Sequence, residues 1–200
     1  MPYPSLRTHL APATLAIGLT FGCAVGHHAS AQWSQATDHH ATELARAIEA
    51  YNQQRYALAL HAFETWMDQA DQTESQDFVD ASYHAAMSAL ALYHKDAVVR
   101  VKGFMDDFPE SPLALQAHWE LANYHYKRKN FSRASEEFMG IRIRDLTKSK
   151  RDELRFKLGH CLFEREEFEK ARVYLYDVLD VEGEFQAPAQ YYFSHIAYLN

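Results

Sequence analysis

A chain of 200 residues with 48% apolar side chains and a net charge of −7 is not compositionally disordered, and its mild acidity argues against a nucleic-acid partner. The basic clusters, Lys127-Arg128-Lys129 and 148–151, both fall at expected turns, where cations suit the carboxyl ends of helices and face solvent. Only seven glycines occur and no Asn-Gly or Asp-Gly pair is present, so hairpin turns are scarce and the composition favours an all-α fold.

Residues 1–31 differ from the rest. Arg7 is their only charge, 10–26 is an apolar run too short to span a bilayer comfortably, and Ala29-Ser30-Ala31 carries the small-residue pattern of a signal-peptidase site. The expectation is an export signal cleaved after Ala31, which places the mature protein in the periplasm or at the outer membrane of a Gram-negative cell. Pro2, Pro4 and Pro12 oppose a folded helix there. Two rivals remain open. Cys23 could be a lipoprotein cysteine, although Thr20 stands where a lipobox has Leu and Phe21 is bulky; an uncleaved anchor would lack a flanking positive cluster. After cleavage at Ala31 the one remaining cysteine is Cys161, which reads as a small core residue. Residues 32–40 are polar and read as a disordered lead-in.

From residue 41 the chain repeats. Ala59, Ala97, Ala134 and Ala171 recur at intervals of 38, 37 and 37 residues. Tyr56, Phe131 and Phe168 stand three residues before three of them. Phe63, Val101, Phe138 and Leu175 follow four residues after each alanine, and Trp66, Phe104, Ile141 and Val178 three residues later. Spacings of three and four put these side chains on one helical face. The alanine lets two helices approach, the aromatic plugs the turn between them, and the later residues pack on the next unit. First helices are expected near 41–53, 76–93, 112–128, 150–165 and 187–200. Ser111 is a candidate N-cap with Pro112 at the first helical position, Pro109 and Pro188 punctuate helix boundaries, and 71–75 and 181–186 read as loops between repeats. A hairpin of this kind cannot bury its apolar face alone, so neighbours must stack.

Leu121-Ala122 with Phe131, Ala134 and Phe138, and Leu158-Gly159 with Phe168, Ala171 and Leu175, resemble the tetratricopeptide repeat (TPR) in a slightly lengthened form. The second unit departs most, since Asp96-Ala97 lacks the turn aromatic and its turn is one residue shorter. The first has Arg46-Ala47 in place of the large-small pair. The resemblance covers residues 41–200 and implies a right-handed superhelical solenoid, four hairpins plus the first helix of a fifth, truncated one. The phrase Phe108-Pro109-Glu110-Ser111-Pro112 is similar to exported TPR proteins of the TolA-binding and outer-membrane-assembly lipoprotein type, and residues 187–200 to large exported TPR proteins of Bacteroidetes-like bacteria.

No phosphate loop, nucleophile elbow, HExxH or CxxC pattern occurs, so the reading is non-enzymatic and calls for no cofactor. His39-His40, His118, His125 and His160 lack a paired metal-ligand spacing, and Glu164, Glu166, Glu167 and Glu169 read as a solvated hairpin tip. The candidate function is a surface. One stripe on the first helices is Tyr83, Trp119, Phe156 and Tyr191; a second is Tyr51, Leu90, Tyr126, Phe163 and Tyr198; Met87, Asn123, His160 and His195 lie between. Aromatics with polar tips suit a groove that grips an extended peptide or a helix, and the bland reading is that the same side chains fill the core. The resemblance implies that Asn123 could bond a ligand backbone. No Lys or Arg joins it at the family's carboxylate-clamp positions, which disfavours a C-terminal carboxylate ligand.

The resulting expectation is a protein-interaction scaffold of the bacterial cell envelope with a protein or peptide partner and no nucleic acid. Three alternatives stay open. The apolar segment 187–200 could dock into a larger envelope or secretion assembly or carry further repeats. The aromatics could bind peptidoglycan or another carbohydrate. The chain could be the N-terminal part of a larger enzyme.

Overall fold

In the computed structural model, residues 25–70 and 72–199 are described, with side chains from residue 39 onward. The expected export signal, Cys23 included, lies outside the described side chains, as does Asn200. By its contacts the chain divides into Met1–His39 and His40–Asn200, and the helical stack is the second unit. Among the described residues the order is α1 (Val25–Asn52), α2 (Tyr56–Asp68), α3 (Gln76–Ala91), α4 (Ala97–Asp107), α5 (Pro112–Lys127), α6 (Phe131–Gly140), a single 3-10 turn (Ile143–Asp145), α7 (Lys148–Glu164), α8 (Phe168–Tyr176) and α9 (Gln186–Leu199), with no strand.

The apolar period explains the packing. From α2 onward each helix packs on the next, and α3 also touches α5 as α7 touches α9. Odd-numbered helices thus make one layer and even-numbered helices the other, as in a solenoid of helical hairpins. All four repeat alanines are fully buried, and so are Phe63, Val101, Phe138 and Leu175. Trp66, Phe104, Ile141 and Val178 are buried behind them. The large-small pairs mark close approach. A Cβ on Gly159 would stand 2.8 Å from Leu175 Cγ and 3.3 Å from the Leu175 backbone nitrogen, so α7 and α8 touch with no room for a methyl group.

Each hairpin turn has the same backbone. Gln54, Tyr93, Lys129 and Glu166 all adopt positive φ, between 54° and 59°. The next residue's N–H bonds five residues back, Arg55 to Ala50, His94 to Ala89, Asn130 to His125 and Glu167 to Leu162, all at 2.9–3.0 Å. This is the Schellman closure, which satisfies carbonyls that a helix end would otherwise leave bare. From the left-handed residue to the alanine is five residues in three hairpins and four in the second, where α4 begins at Ala97 itself. There a polar cluster replaces the turn aromatic: Asp96 contacts His94 and Arg100, and Arg100 Nη1 reaches Glu64 at 2.6 Å.

The caps follow the sequence. Ser111 Oγ accepts from Leu113 N with Pro112 opening α5, and Ser75 Oγ accepts from Phe78 N at the start of α3. The structure differs over residues 32–40, the expected lead-in, which are helical within α1. They are polar, but after Gly26 they contain no Gly or Pro to stop a helix. His40 stacks on Trp66 at 4.4 Å and its carbonyl accepts from Trp66 Nε1 at 2.9 Å, so it serves packing. Among the described residues no helix is long and apolar enough to cross a membrane.

Candidate functional site

On the layer of odd-numbered helices a groove of about 340 Å³ lies between α1, α3 and α5. Helix periodicity builds each wall. Tyr83, Met87 and Leu90 project from α3 at intervals of four and three, and Gln116, Glu120, Tyr124 and Lys127 from α5 at intervals of four, four and three. Tyr51 from α1, Tyr56 from α2 and Tyr93 from the second turn complete it. Tyr51 meets Tyr56 edge-on at 5.6 Å, and Tyr93 lies 5.7 Å from Tyr124. The Arg128 guanidinium sits over both outer rings, 5.6 Å from Tyr93 and 5.4 Å from Tyr124. Burial, with Tyr56 and Glu120 adding, raises the Tyr51 phenol above its usual range; burial, with Tyr51 and Glu120 adding, does the same at Tyr83. Both phenols therefore stay neutral and present uncharged faces and hydroxyl tips.

A second polar-aromatic set joins α5 to α7. Lys150 Nζ donates to Gln116 Oε1 at 3.0 Å, Lys157 Nζ to Asn123 Oδ1 at 2.5 Å, and Tyr126 Oη to His160 Nδ1 at 2.6 Å. Lys150 and Lys157 also lie 5.2 and 6.0 Å from the Trp119 ring. Burial lowers the His160 pKa against the pull of Glu164, so the ring is neutral near pH 7. A neutral ring protonated at Nε2 accepts from Tyr126 and faces Glu164 Oε1 at 3.3 Å.

The residues expected to bind a partner fall into three groups rather than one surface. Tyr83, Met87 and Leu90 line the groove but are themselves over nine-tenths buried. Trp119, Asn123 and Phe156 are buried, and Tyr126, His160 and Phe163 are half-buried around Tyr192, which lies 4.7 Å from His160 and 4.9 Å from Phe163. Tyr191, His195 and Tyr198 are exposed on α9. Asn123 is engaged at both ends of its amide, Nδ2 to Trp119 O and Oδ1 to Lys157. A lysine therefore does join Asn123, from 34 residues further on, a partner that the sequence reading did not see. It also missed Tyr93, Gln116, Glu120 and Tyr124 as groove residues, because they lie off the two stripes. The Glu120–Tyr124–Lys127 spacing on one face of α5 was the available signal.

Among the described residues no group of three or more His, Cys, Asp or Glu could hold a metal ion. Glu167 pairs with Arg165 and Lys170, and Glu169 with Arg172. Cys161 is fully buried, and burial pushes its thiol up to about 12, which keeps it protonated and unreactive.

No protein family matches the sequence, nor does any curated protein. Solved structures do. The nearly identical TPR-like repeats of a kinesin light chain from Podosopora anserina are 13% identical, with a TM-score of 0.58 over 78% of this chain and 84% of that one. MamA of AMB-1 is 15% identical, with a TM-score of 0.54 over 80% of this chain and 98% of the other, and MamA of MSR-1 is 13% identical, with 0.53 over 80% and 96%. The fold is thus a TPR-like helical solenoid.

Proposed function

We propose that this chain is a non-catalytic interaction scaffold, exported to the bacterial cell envelope, that grips an extended peptide or a helix in the groove between α1, α3 and α5. The observation that carries this reading is the groove itself. Tyrosines from three successive hairpins face one another across it, each with an apolar ring and a hydrogen-bonding tip. The TPR-like fold of its structural neighbours supports a partner that is a protein. The export signal read from residues 1–31 supports the envelope location; mass spectrometry of the protein from fractionated Gram-negative cells should find Gln32 as its first residue. For the groove, a photo-crosslinking side chain at Tyr93 or Tyr124 should capture the same partner in cells. One at exposed Val173 on α8 should not. Equal labelling from all three positions would remove the groove from consideration.

A second reading, docking through the C-terminal helix, has its own support. Tyr191 and Tyr198 on α9 are 63% and 89% exposed, and Leu199 is half exposed beside them. Docking there predicts association that grows with concentration in sedimentation experiments and is suppressed in a Tyr191→Asp/Tyr198→Asp variant. A monomer at every concentration rules out self-docking.

A further inference from the structure

We propose that the groove selects a basic peptide, taking an arginine or lysine side chain among Tyr51, Tyr83 and Glu120. This rests on the groove reading above and adds the chemistry of the anchor. Glu120 projects from the middle of α5 into the tyrosine-lined space and is half-buried. Among the described residues its carboxylate accepts from Gln116 Nε2 at 2.9 Å and pairs with no basic side chain. Glu137, Glu153 and the buried Asp152 are by contrast ion-paired, with Lys102 and His118, Lys157, and Lys148 and Arg155 respectively; Asp80, like Glu120, accepts only from a glutamine amide, but does not line this groove. The basic groups around Glu120 are all committed or distant. Lys150 reaches it only through the Gln116 amide, Lys127 stands at the exposed rim two helical turns along α5, and Arg128 lies on the outer rings.

Arg128 shows what these tyrosines accept. Its guanidinium covers Tyr93 and Tyr124, so the outer half of the groove already holds a cation on aromatic faces. The inner half offers the partly exposed Tyr51 ring, over a floor that the buried Tyr83 completes, with a carboxylate beside them. A cation there gains ring attraction and an ion pair in a partly desolvated site, where both are stronger than in water. A carboxylate of the ligand would meet Glu120 directly and be repelled.

The test uses the full chain and a fluorescein-labelled nonapeptide of three Pro-Arg-Ala repeats, with a twin in which citrulline replaces each arginine. Citrulline keeps the shape and removes the charge. By fluorescence anisotropy the arginine peptide should bind about tenfold more tightly than its twin. Glu120→Gln should abolish that difference, while Glu136→Gln, an equal charge change on the exposed side of α6, should leave it. Equal binding of the two peptides, equal loss in both variants, or no binding of the arginine peptide overturns the proposal. A Tyr93→Ala/Tyr124→Ala variant separates the two levels. If it weakens both peptides while they bind alike, the groove stands and the cationic anchor falls. If it leaves the binding of both unchanged, the groove reading falls as well.

Discussion

At the residue scale the two interior glycines of α4 and α7 are opposites. Around Gly103 nothing lies within 4 Å of an added Cβ, whereas at Gly159 it would run into Leu175, which is fully buried and cannot yield. Gly103→Ala should therefore stabilise by about 0.5–1 kcal/mol through helix propensity. Gly159→Ala should destabilise by about 1–3 kcal/mol through overpacking, in spite of the same propensity gain. Urea denaturation of the two variants measures both. Glu137 carries a pH effect. The hydrogen bond from His118, then Lys102, holds its carboxyl at about 2 against the opposing effect of burial. Its usual value is 4.5, so the folded state favours the charged form. The stabilisation is complete above 4.5 and disappears as pH falls toward 2. The stability gap between the native chain and Glu137→Gln should close across that interval in thermal melts. The role of Gly159 was legible because a large-small pair in a repeat implies close helices. That of Asn123 was not, because its lysine partner comes from another helix and no local spacing announces it.

At the scale of elements, the four hairpin turns share one closure but none uses glycine. A left-handed backbone costs a side-chain-bearing residue roughly 1–2 kcal/mol, part of which glycine's greater freedom in the unfolded chain takes back. Lys129→Gly and Glu166→Gly should each raise stability by about 0.5–1 kcal/mol, read from the urea midpoint. Unchanged or lower midpoints would mean that the turn geometry carries no strain. The helices and turn aromatics were readable from period and spacing. The left-handed residues were not, since Gln, Tyr, Lys and Glu bear no turn signature. The second hairpin shows the limits of pattern matching: its turn is one residue shorter and keeps the same closure, with a charged cluster where the aromatic would stand.

For the whole molecule, a stack of hairpins transmits damage only to neighbours. Phe138 is fully buried and meets the rings of Trp119 at 6.1 Å and Tyr126 at 6.3 Å. Phe138→Ala should cost about 3–5 kcal/mol. Hydrogen exchange should show lost protection concentrated in α5, α6 and α7, with α2 and α3 spared; uniform loss would mark the stack as one cooperative block. The solenoid itself was legible, because four alanines at nearly constant intervals can bury their faces only by stacking. The groove was less so. Its tyrosines come from three hairpins and occupy unequal positions in the repeat, so aligning the units dispersed them.

The three bonds between α5 and α7 all join residues 34 apart, while Ala134 and Ala171 of the same hairpins are 37 apart. The side chains that tie α5 to α7 thus reach three residues short of repeat equivalence, about 4.5 Å along a helix axis. This junction is fastened by ammonium, amide, phenol and imidazole groups on one side and by apolar contact in the interior. The two fastenings answer to different conditions: protonation of His160 removes its bond from Tyr126 and leaves the apolar contact in place. Acid therefore loosens the polar side of this one junction while its apolar side holds.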